Sequence, residues 1–68
     1  MNQPLSIFDD PIMTIPDVAK YLKISRSKAY YMVSSRQLPY LRLGKNVRIR
    51  QSDLLKWLDE QIEKQLAV

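Results

Sequence analysis

Two short stretches between residues 14 and 35 carry apolar residues at helical spacing. The first stretch has the i, i+3, i+4, i+7 spacing of one helix face, in Ile15, Val18, Ala19 and Leu22. Thr14 stands before it as an N-cap candidate, and Asp17 can close a capping box with Thr14. The pattern predicts a first helix that starts at Thr14 and ends near Leu22 or Lys23.

The second stretch begins at Ser25, which is another N-cap candidate. A second helix is predicted from Arg26 to about Ser35. Its inward face is expected to be formed by Ala29, Met32 and Val33, and Tyr30 is expected to be partly buried. The residues left facing outward are Arg26, Ser27, Lys28 and Tyr31.

After Gln37-Leu38-Pro39 the apolar period changes from helical to two. The alternating apolar residues are Leu41, Leu43, Val47 and Ile49, on either side of the only glycine of the chain, Gly44. This pattern predicts a β-hairpin with a turn at Gly44-Lys45-Asn46 that needs a positive φ. A three-residue turn would pair Leu43 with Val47, Arg42 with Arg48, and Leu41 with Ile49. Two opposed arginines would repel each other unless an anion lies against them.

A third helix is predicted after Ser52-Asp53, which can cap it and place an acid in its first turn. Its buried stripe is expected to comprise Leu54, Leu55, Leu58, Ile62 and Leu66. Trp57 is interpreted as a core residue at the margin of the stripe rather than as a ligand contact. The helix has at most about four turns, too short for a long dimerising coiled coil. We therefore expect the free protein to be monomeric.

Residues 1–13 lack a sustained period and are interpreted as an N-terminal arm before a domain of residues 14–68. Ile7, Phe8 and Ile12 could attach part of the arm to the domain. The adjacent Asp9 and Asp10 could be imagined as a Mg²⁺ site, but two neighbouring carboxylates rarely suffice. A helix cap or a solvated turn is the better interpretation, and no metal or cofactor is expected.

The amino-acid composition limits the classes of function that the chain can have. A chain of 68 residues allows one small domain with too little core for a deep substrate cleft. With no cysteine it has no disulfide or thiolate zinc site, and with no histidine it lacks the usual general base. We therefore expect a protein without enzymatic activity. No apolar run reaches the ~20 residues of a membrane span, and the N-terminus lacks the features of a signal peptide, so we expect a cytoplasmic protein.

The formal net charge of +4 conceals a strong segregation of charge along the chain. Nine lysines and arginines lie between Val18 and Ser52, and no aspartate or glutamate does. A solvated face normally mixes both signs, so the segregation favours a surface that binds an anionic partner.

These elements together predict a mainly α fold with a small β-hairpin, a winged helix-turn-helix. A helix fits the major groove of B-DNA, and residues at its N-terminus can reach base edges. The hairpin can place cations along the neighbouring backbone or the minor groove. Within this arrangement we expect Arg26 to read bases and Arg48 to contact phosphates.

The residues also carry a family resemblance, from about Met13 to Asp59. Its motifs are Thr14-Ile15-Pro16-Asp17-Val18-Ala19-Lys20-Tyr21-Leu22, Ile24-Ser25-Arg26-Ser27, Tyr30, Leu38-Pro39, Arg42, Gly44, Arg48-Ile49-Arg50 and Asp53-Leu54-Leu55-Lys56-Trp57-Leu58. In this order they resemble the excisionase family of DNA-binding domains, within the MerR-like winged-helix group. Lys23 and Arg36 stand where that family commonly has glycine, and Tyr31 where it more often has a base.

The resemblance implies double-stranded DNA as the partner and a bacterial or mobile-element origin. In that family the second helix enters the major groove and the wing contacts adjacent backbone. The DNA-binding residues that this implies are Ser25, Arg26, Ser27, Lys28, Tyr31, Arg42, Lys45, Arg48 and Arg50.

Four roles remain open on this pattern. The first is an excisionase-like architectural factor that directs a site-specific recombinase, with several copies loading cooperatively on DNA. The second is a small transcriptional regulator on the same fold. An RNA-binding module is disfavoured because no strand carries a platform of stacking aromatics. An adaptor for an acidic protein would leave the helix-turn-helix without a use.

Overall fold

The computed structural model describes residues 10–67 of the chain. Within this range, three helices and three short strands follow one another as β1 (Ile12–Met13), α1 (Ile15–Leu22), α2 (Arg26–Ser34), β2 (Leu41–Leu43), β3 (Asn46–Arg50) and α3 (Gln51–Leu66). The strands form an antiparallel sheet in the order β1-β3-β2. The predicted fold, mainly helical with a hairpin wing, is confirmed, and the sheet has one strand more than expected.

Helix α1 begins with the predicted capping box. The Asp17 backbone N–H donates to Thr14 Oγ1 over 3.1 Å, and the Thr14 backbone N–H donates to Asp17 Oδ2 over 3.1 Å. The helix ends at Lys23, whose φ of 60° lies in the left-handed region. That conformation is uncommon for a residue with a Cβ atom, and it turns the chain sharply toward α2.

Helix α2 begins at the predicted cap, because the Lys28 backbone N–H donates to Ser25 Oγ over 3.0 Å. Ala29 and Val33 are buried and Met32 is half-buried, as predicted. The prediction for Tyr30 is wrong, since 53% of this residue is exposed. Tyr30 lines an open groove beside the hairpin.

The hairpin turn is one residue shorter than predicted. Leu43 pairs with Asn46, so Gly44 and Lys45 form a two-residue turn. Gly44 has a φ of +66°, and glycine at the first central position is what a type II′ turn favours. The shorter turn shifts every pair, and Arg42 lies opposite Val47 while Arg48 lies opposite Leu41. The predicted pairing of two arginines is therefore wrong, and so is the repulsion deduced from it.

Part of the segment interpreted as an arm belongs to the sheet. Ile12 pairs with Arg50, and Met13 pairs with Ile49. The Met13 side chain is buried, whereas 52% of Ile12 is exposed. Ile7 and Phe8, the other residues considered for attachment, lie outside the described residues.

Helix α3 begins at Gln51 without a cap from its own segment, so the prediction that Ser52 caps it is wrong. Leu54 is fully buried, and Trp57 packs against the core while remaining half-buried. The rest of the predicted buried stripe is largely wrong, because Leu55, Ile62 and Leu66 are exposed. Helix α3 packs on β3, and Gln61 and Gln65 from its second half line a groove beside α1 and α2.

The core lies between α1, α2, the sheet and the first turns of α3. Its buried side chains are all apolar: Met13, Ile15, Val18, Ala19, Ala29, Val33, Leu38, Ile49 and Leu54. Within residues 10–67 no buried side-chain nitrogen or oxygen lacks a hydrogen-bond partner. None of the helices described is long and apolar enough to cross a membrane.

Candidate nucleic-acid interface

The first turn of α2 differs in charge from those of the other two helices. Asp17 lies in the first turn of α1 and Asp53 in that of α3, but the first turn of α2 contains no acid. It carries Arg26 and Lys28 instead, both exposed. Helix N-termini are stabilised by negative charge and disfavour positive charge. The two cations in the first turn of α2 are therefore unfavourably placed in the free protein, and an anion bound beside them would offset this effect.

The outward face of α2 is small and polar at its start and aromatic further along. Ser25, Ser27 and Lys28 are exposed, as is 63% of Tyr31. No neighbouring element covers this face in the described part of the chain. A helix about 10–12 Å across, side chains included, matches a major groove about 12 Å wide.

The wing has two exposed cations at and beside its turn. Arg42 lies on β2, and Lys45 is the second residue of the turn. Neither side chain makes a hydrogen bond or an ion pair with another described residue. Their charges are therefore available to a partner.

Arg50 is placed differently, because it is held by α3. Its Nε donates to Asp53 Oδ2 over 2.7 Å, and its Nη2 donates to Asp53 Oδ1 over 3.1 Å. These bonds, followed by the charge of Asp53, raise the pKa of the Arg50 guanidinium. A planar two-pronged pair of this kind fixes the direction of the arginine.

Arg48 lines the same groove as residues 14–16 at the start of α1. Its Nη1 donates to the Val47 carbonyl over 2.8 Å, and the residue is half-buried. The Thr14 hydrogen bonds lower the pKa of Asp17, and the charges of Lys20 and Arg48 lower it further. Arg48 is therefore partly engaged within the fold through its hydrogen bond to the Val47 carbonyl.

A groove of about 420 Å³ separates α2 from the wing. Tyr30 lines it on the α2 side, residues 45–48 line it on the wing side, and residues 14–16 close one end. Tyr30 was not among the predicted site residues. The available signal was its position one turn after Arg26, which places both side chains on the same flank of α2.

The acids of the described chain lie away from this surface or are already engaged. Asp10 caps α3, Asp17 caps α1, and the other acids lie on α3. Among residues 10–67 no three acidic side chains come together as a metal ion would require. The capping role of Asp10 confirms the interpretation preferred over a Mg²⁺ site, and Asp9 lies outside the described residues.

The site thus brings together the exposed first turn of α2, the exposed cations of the wing and the groove between them. Two helices joined by a tight turn, followed by a β-hairpin and a third helix, define the winged helix-turn-helix class. The sequence matches the family of helix-turn-helix domains over residues 12–62, so the chain belongs to that family, whose members bind DNA. No curated protein sequence and no solved structure matches the chain.

Proposed function

We propose that the chain is a sequence-preferring, double-stranded DNA-binding protein without enzymatic activity. In this proposal α2 enters the major groove, and the wing lies on the adjacent backbone or in the minor groove. The observation that carries it is the first turn of α2, where Arg26 and Lys28 stand at a helix terminus without a compensating acid. Phosphates supply the negative charge that such a terminus favours.

Helix α2 supplies the base-reading side chains in this proposal. Arg26 can form the two parallel hydrogen bonds that distinguish guanine, worth about 1–3 kcal/mol of discrimination. Ser27 and Tyr31 lie on the outward face of α2 between Arg26 and Lys28, and Ser25 stands at its N-cap. These three side chains are assigned to bases or sugars next to the contact of Arg26. Lys28 lies on the opposite flank of the helix from Arg26.

The wing divides into two pairs of cations. Arg42 and Lys45 are exposed and are assigned to phosphates directly. Arg48 and Arg50 remain proposed DNA contacts, but each must share its guanidinium with an internal partner. We therefore assign a larger part of the salt-dependent affinity to Arg42 and Lys45.

Tyr30 is added to the proposed contacts. One DNA strand that passes from α2 to the wing would follow the groove that Tyr30 lines. Its hydroxyl can donate to a phosphate there, a contact that positions the protein without reading sequence. Tyr30→Phe should then weaken binding to all duplexes alike.

A concrete experiment tests the division between helix and wing. A preferred duplex is selected from a random pool, and its affinity is compared with that of a scrambled duplex for Arg26→Ala and Lys45→Ala. Arg26→Ala should reduce the difference in affinity between the preferred and the scrambled duplex. Lys45→Ala should weaken binding to both duplexes equally and lower the slope of log K against log salt by about one. If the two variants behave in the opposite way, the assignment of α2 and the wing is reversed.

The biological role proposed is that of an excisionase-like architectural factor that acts with a site-specific recombinase. The ordered motifs from Thr14 to Leu58 support this role through their resemblance to that family. A footprint on the DNA that flanks the coding region tests it. Protection at the end of a mobile element supports the role, and protection confined to a promoter replaces it with transcriptional regulation.

A further inference from the structure

Helix α3 carries an exposed apolar stripe that neither the core nor the DNA interface uses. Its residues are Leu55, Ile62 and Leu66, which are 42%, 57% and 79% exposed. At 100° per residue the three side chains fall within about 40° of one another around the helix axis. We refer to these three residues as the α3 stripe.

The α3 stripe lies beside the face of α3 that packs on the body. Leu54 and Trp57 point toward the core, and the stripe begins about a quarter-turn further around the helix. Single exposed apolar residues are ordinary, but three in a line along one helix indicate a surface that another molecule can cover.

We propose that the α3 stripe binds the α3 stripe of a second copy of this chain, with the two helices antiparallel. The proposal goes beyond DNA binding and does not rest on it. In an antiparallel pair related by a twofold axis, Leu55 of each copy packs between Ile62 and Leu66 of the other. This arrangement encloses all three residues of both stripes.

Charge complementarity on one flank of the stripe supports this register. Lys56 and Glu63 are both exposed and lie on the same flank of α3. When Leu55 takes the position between Ile62 and Leu66 of the second copy, Lys56 comes level with Glu63 of that copy. The twofold axis repeats the pair, so two cation–carboxylate contacts border the apolar seam.

Asp59 lies on the same flank near the middle of the helix and opposes the association. Its symmetry-related carboxylates come close together at the twofold axis, and like charges repel. In this register Asp59→Asn should therefore tighten the association.

The area that α3 offers makes the association weak. A 16-residue helix is about 24 Å long and 10 Å wide, so one face covers a few hundred Å². A standard complex buries about 800 Å² on each partner. The free protein is then mainly monomeric at low micromolar concentration, and pairing through α3 needs a higher local concentration of the chain.

The test uses the full chain without DNA at concentrations from about 10 µM to about 1 mM. Sedimentation equilibrium and methyl NMR shifts are measured at each concentration. We expect a monomer–dimer equilibrium and concentration-dependent shifts at Leu55, Ile62 and Leu66. Ile62→Glu should abolish both, whereas Tyr21→Glu, a matched change at an exposed apolar residue of α1, should leave them unchanged.

Charge exchange tests the register separately. Lys56→Glu alone and Glu63→Lys alone should each weaken the dimer, and the double variant should restore it. Three results would overturn the proposal: shifts that do not depend on concentration, shifts that arise instead from contact with residues 1–9 of the same chain, or a dimer that Ile62→Glu leaves intact. A double variant as weak as the single variants would overturn the antiparallel register.

Discussion

Asp10 caps a helix that begins 41 residues further along the chain. Its Oδ1 accepts from the Ser52 backbone N–H and its Oδ2 from the Ser52 hydroxyl, each over 2.8 Å. The Pro11 carbonyl accepts from the Gln51 backbone N–H over 2.9 Å, so two consecutive residues of the incoming chain satisfy the first amides of α3. The segment before α1 therefore fixes the start of the last helix.

Removal of this cap should destabilise the domain. Asp10→Ala leaves the Ser52 amide and hydroxyl without their acceptors, and the midpoint of thermal unfolding should fall. Ser52→Ala, which removes only the hydroxyl contact, should lower the midpoint less. Glu60→Gln on the exposed part of α3 is the control and should change little. An Asp10→Ala midpoint equal to that of the wild type would contradict the structural role of the cap.

The same carboxylate predicts a loss of stability in acid. The Ser52 hydrogen bonds, backbone first, lower the pKa of Asp10 below its ordinary value of 3.8, and the Thr14 hydrogen bonds do the same for Asp17. A carboxylate with a depressed folded-state pKa stabilises the fold above its unfolded pKa, and this stability is lost as the pH falls through the folded-state value. The thermal unfolding midpoint should decrease once the pH drops below about 4, where an ordinary aspartate becomes protonated. In that range the thermal midpoint of the wild type should approach the midpoint of Asp10→Asn. A difference between the two midpoints that stays constant down to pH 2 would contradict the prediction.

Among residues 10–67, two non-glycine residues have left-handed backbones, and they predict stabilising substitutions. Lys23 has a φ of 60° and Arg36 a φ of 62°. The left-handed conformation of a residue with a Cβ atom costs about 1–2 kcal/mol of folding free energy. Glycine removes this cost, but its larger conformational entropy in the unfolded chain offsets part of the stabilisation. Lys23→Gly and Arg36→Gly should each raise the free energy of unfolding by about 0.5–1 kcal/mol.

Alanine at the same two positions is the matched control, since it keeps the Cβ atom and removes the charge. Urea unfolding of all four variants measures the difference. If Lys23→Ala stabilises the domain as much as Lys23→Gly, the gain comes from charge and not from backbone strain.

The Arg50–Asp53 pair predicts a variant that binds DNA more tightly. Asp53→Asn removes the carboxylate that holds the guanidinium, so Arg50 gains freedom to contact a phosphate. Affinity for duplex DNA should rise, and the slope of log K against log salt should steepen by up to about one. Glu60→Gln makes the same change in net charge elsewhere on α3. An equal effect of both variants would show that only the overall charge matters.

The local parts of the fold were predictable from the sequence. The caps of α1 and α2 depend on residues three apart, Thr14 with Asp17 and Ser25 with Lys28, and local patterns reveal such pairs. Gly44 located the hairpin turn. The turn length was not predictable from alternation alone, because a shift by one residue preserves the period of the strands while it changes every pair.

The features that the sequence did not reveal depend on distant contacts. The cap of α3 comes from Asp10, far away in sequence, so Ser52 was the nearest visible candidate. The apolar positions of α3 predicted a buried stripe, but burial needs a facing layer, and Leu55, Ile62 and Leu66 lie on a face of α3 that remains exposed. At the candidate site, the exposed cations of α2 follow from the sequence. The partners of Arg48 and Arg50 are local, the Val47 carbonyl and Asp53, but the alternating pattern does not show which neighbour a long side chain contacts.

The central claim is that the cations of α2 and the wing bind the phosphates of duplex DNA, and its most direct test is the salt dependence of binding. The affinity of the full chain for duplex DNA is measured across a series of salt concentrations, with single-stranded RNA in parallel. If about five phosphates are neutralised, log K should fall against log salt with a slope near −4.5, and the RNA should bind more weakly. A flat salt response, or equal affinity for the single-stranded RNA, would contradict the account.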